Sequence, residues 1–159
     1  MPKTRIGIVY ADTQPAFQTT VPLRVFSNQI AECGFSLCFA RDLDAPALQQ
    51  CEIICLVYGD RGKLIRLNGS ADGEQLILEA LAKYKSRGHK IIILDNQDTT
   101  GKIRREYVRL VDVYGKAQLL KDRTFYARSL HGKVYYKDYY YRNFGVEEPG
   151  SGWSEKRSI

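Results

Sequence analysis

Four short apolar runs constrain this chain more than any other feature: "RIGIVYA" (5–11), "FSLCFAR" (35–41), "CEIICLVYG" (51–59) and "KIIILDN" (90–96). All but the alternating second are nearly continuous in aliphatic residues. A strand buried on one face alternates apolar with polar residues, whereas a strand buried on both faces reads as an unbroken run. Between the first two lies "VPLRVFSNQIAECG" (21–34), with Leu23, Val25, Phe26, Ile30 and Cys33 at helical spacing. Pro22 suits a first turn and Gly34 a stop. Between the third and fourth runs, "GEQLILEALAKYKSRGH" (73–89) carries the stripe Leu76, Ile77, Ala80, Leu81 and Tyr84, with cations near its C-terminus. "DLDAPALQQ" (42–50) reads as a turn with at most two helical turns. The expected fold is α/β: a Rossmann-like open parallel sheet with helices on both faces, built by right-handed crossovers, with "VDVYG" as a fifth strand. The expected organisation is one domain over 1–148, followed by a loosely packed tail or the start of a linker over 149–159.

In such a sheet the ligand crevice lies at the carboxyl ends of the strands. Three polar stretches leave those ends: "ADTQPAFQTT" (11–20), "GDRGKLIRLNGS" (59–70) and "DNQDTTGK" (95–102). Loops are polar in any case, and Asp and Asn cap helices. Three such loops on one edge nevertheless make that edge the place to look. Strands one and four are expected to be neighbours there, which would place Asp12 and Thr13 with Asn96, Asp98 and Thr99.

Several chemistries are not supported. No Gly-x-Gly-x-x-Gly follows the first strand, and no phosphate-loop motif, Gly-x-Ser-x-Gly or His-Glu-x-x-His occurs. The chain has two histidines and four cysteines with no Cys-x-x-Cys. Cys33, Cys38, Cys51 and Cys55 read as reduced, buried thiols, with Cys51 and Cys55 on one face of a strand. No cofactor and no metal are expected. The start "MPKTRIGIVYADT" lacks a signal-peptide pattern, and no run approaches the ~20 apolar residues of a membrane span. The expected location is cytoplasmic.

The net charge of +6 is uneven. Residues 1–100 balance, whereas residues 101–142 hold eleven Lys/Arg against four Asp/Glu. Within that basic segment lies "KVYYKDYYYRNFG", where Lys133, Lys137 and Arg142 interleave with five tyrosines and Phe144. Such a surface can stack on bases or sugars, meet anionic head groups, or cover another domain. It can equally be a helix or strand packed on the core with wet hydroxyls. No nucleic-acid motif accompanies it, and nucleic acid is not an expected partner.

"LDNQDTTGK", "LVDVYGKAQLLKDRTFY" and "LHGKVYYKDYYYRNFGVEE", in that order, resemble the amino-terminal half of bacterial glycosyltransferases of the two-Rossmann (GT-B) type found in cell-surface polysaccharide clusters. The resemblance spans roughly 91–148 and is one of fold alone before that. It implies an acceptor-binding half that acts on a sugar or lipid-linked acceptor. The nucleotide-sugar donor would bind only through a carboxyl-terminal domain whose residues have no positions here. It implies a location at the inner membrane face, with peripheral membrane contact. A base must take the acceptor hydroxyl proton; Asp98 is the candidate, ahead of Asp12 and Asp95. Asp12, Thr13, Asn96, Gln97 and Thr99 are candidate hydrogen-bonders to the acceptor, and Lys116 a candidate for its phosphate. A stand-alone Rossmann-like binding module, docking protein, membrane or nucleic acid through the tyrosine-rich surface, remains open beside this reading, as does a small self-sufficient enzyme.

Overall fold

The computed structural model describes residues 3–11, 13–58, 73–96, 103–117, 119, 121–133 and 135–147. The chain groups into two compact units: 1–97 with 104–117, and 98–103 with 118–159.

The first unit is a five-stranded, all-parallel sheet. Its strands are β1 (Thr4–Tyr10), β2 (Phe35–Ala40), β3 (Ile53–Tyr58), β4 (Lys90–Asp95) and β5 (Val113–Lys116). These match the four apolar runs and the expected fifth strand. Their order across the sheet is β2-β1-β3-β4-β5, one of the two common doubly wound arrangements.

The order corrects one expectation. β1 and β4 are not neighbours, because β3 returns past β1 and inserts between them. The strand order therefore reverses between β1 and β3, and the switch-point crevice belongs to the loops after those two strands. The second of these, 59–72, lies outside the described residues.

Helices cover both faces of the sheet. On one face α1 (Gln14–Val25) sets Ala16 and Leu23 against Ile8, Tyr10, Cys55, Val57, Ile92 and Leu94. The helix expected over 21–34 is in fact two. α1 begins already at Gln14, with Pro22 in its interior, and α2 (Ser27–Glu32) follows a bend at Phe26. Pro22 has no N–H to give to the preceding turn, so the helix is weakened there and ends three residues later. Most of the polar stretch 11–20 is thus helix rather than loop.

On the other face, α3 (Gly73–Ser86) buries Ile77, Leu81 and Tyr84 against Val9, Ile54, Leu56, Ile91 and Ile93. Full burial of each such side chain contributes about 1.5–3 kcal/mol. The 3-10 helix Pro46–Gln50 adds Leu48 to this second face. Leu48 lies so close over Gly7 that a Cβ there would stand 2.5 Å from its Cδ2, so any side chain at position 7 would have to displace Leu48.

Cys51 and Cys55 part company. Cys51 precedes β3 and packs on the α3 side, whereas Cys55 lies within β3 and packs on the α1 side. The chain bends at Glu52, so the two-residue alternation does not extend back to Cys51. All four thiols are free; burial pushes Cys55 up to about 12 and Cys51 up to about 11, while Cys33 is exposed.

The second unit holds the 3-10 helix Arg123–Ala127, the short turn His131–Lys133 and α5 (Tyr135–Phe144). Asp122 caps the first of these, its Oδ1 accepting from the Thr124 N–H at 2.9 Å and the Thr124 hydroxyl at 2.7 Å. α5 is anchored by a polar residue. Asp138 is buried and accepts from the His131 backbone N–H at 2.8 Å and from Arg142 Nε at 2.7 Å. Both bonds hold its carboxyl below the usual range. The His131 ring stacks on Tyr141, centroids 3.8 Å apart.

Candidate functional site at the carboxyl edge of the sheet

Register places Tyr58, Asp95 and Lys116 side by side at the carboxyl ends of β3, β4 and β5. Two-residue alternation carries all three to the face covered by α3. Tyr58 continues the apolar column Ile54–Leu56, and Asp95 the column Ile91–Ile93. The last position of β4 is therefore a buried carboxylate where the pattern below it is isoleucine.

Asp95 is satisfied by its neighbours. Lys116 Nζ lies 3.1 Å from its Oδ2, and both side chains are almost fully buried, at 2% and 1% exposure. The Tyr114 hydroxyl donates to the same oxygen and accepts from the Arg104 backbone N–H. Burial first, and then the bond to Asp95, pushes Tyr114 well above the ordinary phenol range. The ammonium, the carboxylate and the phenol thus form one buried network.

Beside it, α4 (Arg105–Val108) brings in Tyr107, whose ring meets Tyr58 at 5.5 Å between centroids. The Arg104 guanidinium lies over the Tyr58 ring, 4.6 Å from its centroid, and pairs with Glu74 and, at 3.8 Å, with Glu106. Burial opposes the charge on Arg104, but Tyr58 and Glu74 beside it raise its pKa overall. Burial pushes Tyr58 up to about 12, and Tyr107 higher still. At neutral pH these phenols are hydrogen-bond donors and acceptors, not bases.

Among the described residues, two buried hydroxyls of this unit have no hydrogen-bond partner: Tyr107 Oη and Thr13 Oγ1. Thr13 is the N-cap residue of α1, in extended conformation, and its side chain makes no capping bond. A buried hydroxyl without a partner costs about 1–3 kcal/mol. Tyr107→Phe should therefore leave stability unchanged or raise the thermal midpoint by a few degrees. A clear fall would show that Oη bonds within the folded protein after all.

The sequence candidates separate accordingly. Thr13 and Asn96 belong to the α1 side: Asn96 Nδ2 donates to Thr19 Oγ1 on α1 at 2.8 Å, and its backbone N–H bonds the Tyr58 carbonyl at 2.9 Å. Lys116 belongs to the α3 side, its ammonium bonded to Asp95. Asp12, Gln97, Asp98 and Thr99 lie outside the described residues. Tyr58, Arg104, Tyr107 and Tyr114 escaped the sequence reading. Asp95 figured there as a rival to Asp98 for the base, and a carboxylate ending an isoleucine run is the signal that marks it as buried. Among the described residues no group of three or more His, Cys, Asp or Glu could hold a metal ion. No helix among them is long and apolar enough to cross a membrane.

Comparison of the sequence with models of known protein families and with curated proteins found no match. Fold and edge define an α/β protein with a doubly wound parallel sheet and a polar, partly unsatisfied carboxyl edge.

Proposed function

We propose that this chain is the amino-terminal, acceptor-binding half of a GT-B-type glycosyltransferase in cell-surface polysaccharide or glycoconjugate synthesis. It works at the cytoplasmic face of a membrane and is inactive until a donor-binding domain completes it. What carries the reading is the ordered resemblance over 91–148, from the polar stretch after β4 through β5 to the tyrosine-rich helix. The fold accords with it, because the ligand crevice of such a sheet lies at the carboxyl ends of the strands, where polar stretches of sequence follow β1 and β3. In this scheme Asp98 takes the proton from the attacking acceptor hydroxyl, the hydroxyl oxygen bonds the sugar carbon, and the diphosphate leaves with the electron pair. Asp12, Thr13, Asn96, Gln97 and Thr99 orient the acceptor. Lys116 reaches an acceptor phosphate only where its bond to Asp95 opens.

The test is transfer of labelled sugar from nucleotide-sugar donors to lipid-linked acceptors. It compares the product of the whole reading frame with residues 1–159 alone. Transfer by the first and none by the second is expected. A reading frame that closes after Ile159, or a longer product that transfers nothing from any donor, would overturn the reading. The second reading, a stand-alone binding module, is favoured by one observation: all the aromatic side chains of α5 but Tyr135 are exposed.

A further inference from the structure

α5 is an amphipathic helix turned inside out. Its one fully buried side chain is the carboxylate of Asp138. Tyr136, Tyr140 and Phe144 follow one another at four-residue intervals, with Tyr139 beside them, so they form a single stripe. That stripe is exposed, at 56% for Tyr136, 45% for Tyr139, 51% for Tyr140 and 63% for Phe144. The rings of Tyr139, Tyr140 and Phe144 touch one another, with centroids 5.5–6.1 Å apart. A contiguous apolar patch of this kind on a soluble surface marks a docking site.

We propose that this face docks the protein on the surface of an anionic lipid bilayer. The inference extends the proposed membrane location. Its test needs no sugar transfer, so either can fail alone.

Residue type, charge and ring geometry select this occupant. Tyrosine is the side chain of the membrane–water boundary, where the ring enters the acyl edge and the hydroxyl stays with the head groups. The exposed Lys121, Arg123 and Arg128 belong to the same compact unit. The unit's described residues hold six Lys/Arg against three Asp/Glu, and one of those acids, Asp138, is buried in its pair with Arg142. The unit is therefore basic, and its aromatic patch contains no acid, which complements anionic head groups. Two copies pressed face to face would bring like charges together, which disfavours self-association. Rings packed edge-on against one another leave little open face for stacking bases, which disfavours single-stranded nucleic acid.

Flotation of the 159-residue protein with phosphatidylglycerol-rich vesicles, and with pure phosphatidylcholine vesicles as control, tests the proposal. Binding to the first, lost from the second and weakened by high salt, is expected. Tyr136→Ser/Tyr140→Ser/Phe144→Ser should weaken it by at least about tenfold, with the circular dichroism spectrum unchanged. Should the triple variant fail to fold, Phe144→Ser alone should still weaken binding, since that ring is the most exposed. No flotation with anionic vesicles would overturn the proposal, as would equal flotation of parent and variants. Vesicle-free self-association, or oligonucleotide binding, that the same substitutions abolish in place of flotation would overturn it equally.

Discussion

Asp95→Ala is expected to cost about 3–5 kcal/mol of folding stability. The substitution removes the acceptor of Lys116 while leaving the ammonium where it is, at 2% exposure, and it strips the Tyr114 hydroxyl of its acceptor. A buried charge without a counter-charge is among the few single changes that remove so large a share of the roughly 5–15 kcal/mol that holds a domain together. Lys116→Met should be costly in the mirror sense, because it takes the ammonium away from a carboxylate that stays buried. The pair as a whole is different. Desolvating two ions consumes much of what their attraction returns, so Asp95→Leu/Lys116→Met should lie close to the parent, or above it by about 1–4 kcal/mol. Urea midpoints of the parent and the three variants test this. The expected signature is two destabilised single variants and a restored double variant. A single Asp95→Ala loss under about 1 kcal/mol would mean that Lys116 swings out to water when released.

That network shows where sequence reading stops. The strands were legible because β3 and β4 are buried on both faces, and "IICLV" and "IIIL" have no other comfortable place. Continuous apolar runs report burial but not neighbours, so they could not order β1 and β4 around β3. The Asp95–Lys116 pair spans 21 positions and exists only because register aligns the last residues of β4 and β5. A lysine ending "VYGK" looks like any surface lysine until that register is known. Pro22 was visible, but a first turn there needs a helix that starts at Val21 or close to it, and Gln14 begins it instead. For α5 the period was legible and the orientation was not. The spacing of Tyr136, Tyr140 and Phe144 says that they share a face, and only the burial of Asp138 says that this face points outward. Of the acceptor candidates, Thr13 and Asn96 lie on one side of the sheet and Lys116 on the other, a division set by strand parity for Lys116 and Asn96 and by its place at the start of α1 for Thr13.

The same parity argument bears on the proposed chemistry. A general base must reach the acceptor hydroxyl and be able to take up its proton. Asp95 fails the first, since its side chain is 1% exposed and its Oδ2 accepts from Lys116 and Tyr114. In the proposed reaction the base is Asp98, three residues on, with Asp12 as the rival. With a donor domain present, Asp98→Ala should lower turnover by about 10² or more. KM for the acceptor should change far less than kcat, because an interaction made only in the transition state lowers both kcat and kcat/KM. The acidic limb of the kcat/KM profile should vanish with the carboxyl group, and Asp98→Asn should behave as Asp98→Ala does. The unfolding midpoint should stay near the parent's, in contrast to Asp95→Ala, as expected of a carboxylate that serves the reaction and not the fold. Unchanged turnover in a folded Asp98→Ala protein would remove that residue and leave Asp12 to be tried by the same profile. A loss of stability rivalling that of Asp95→Ala would mean that the polar stretch after β4 serves the fold before it serves any ligand.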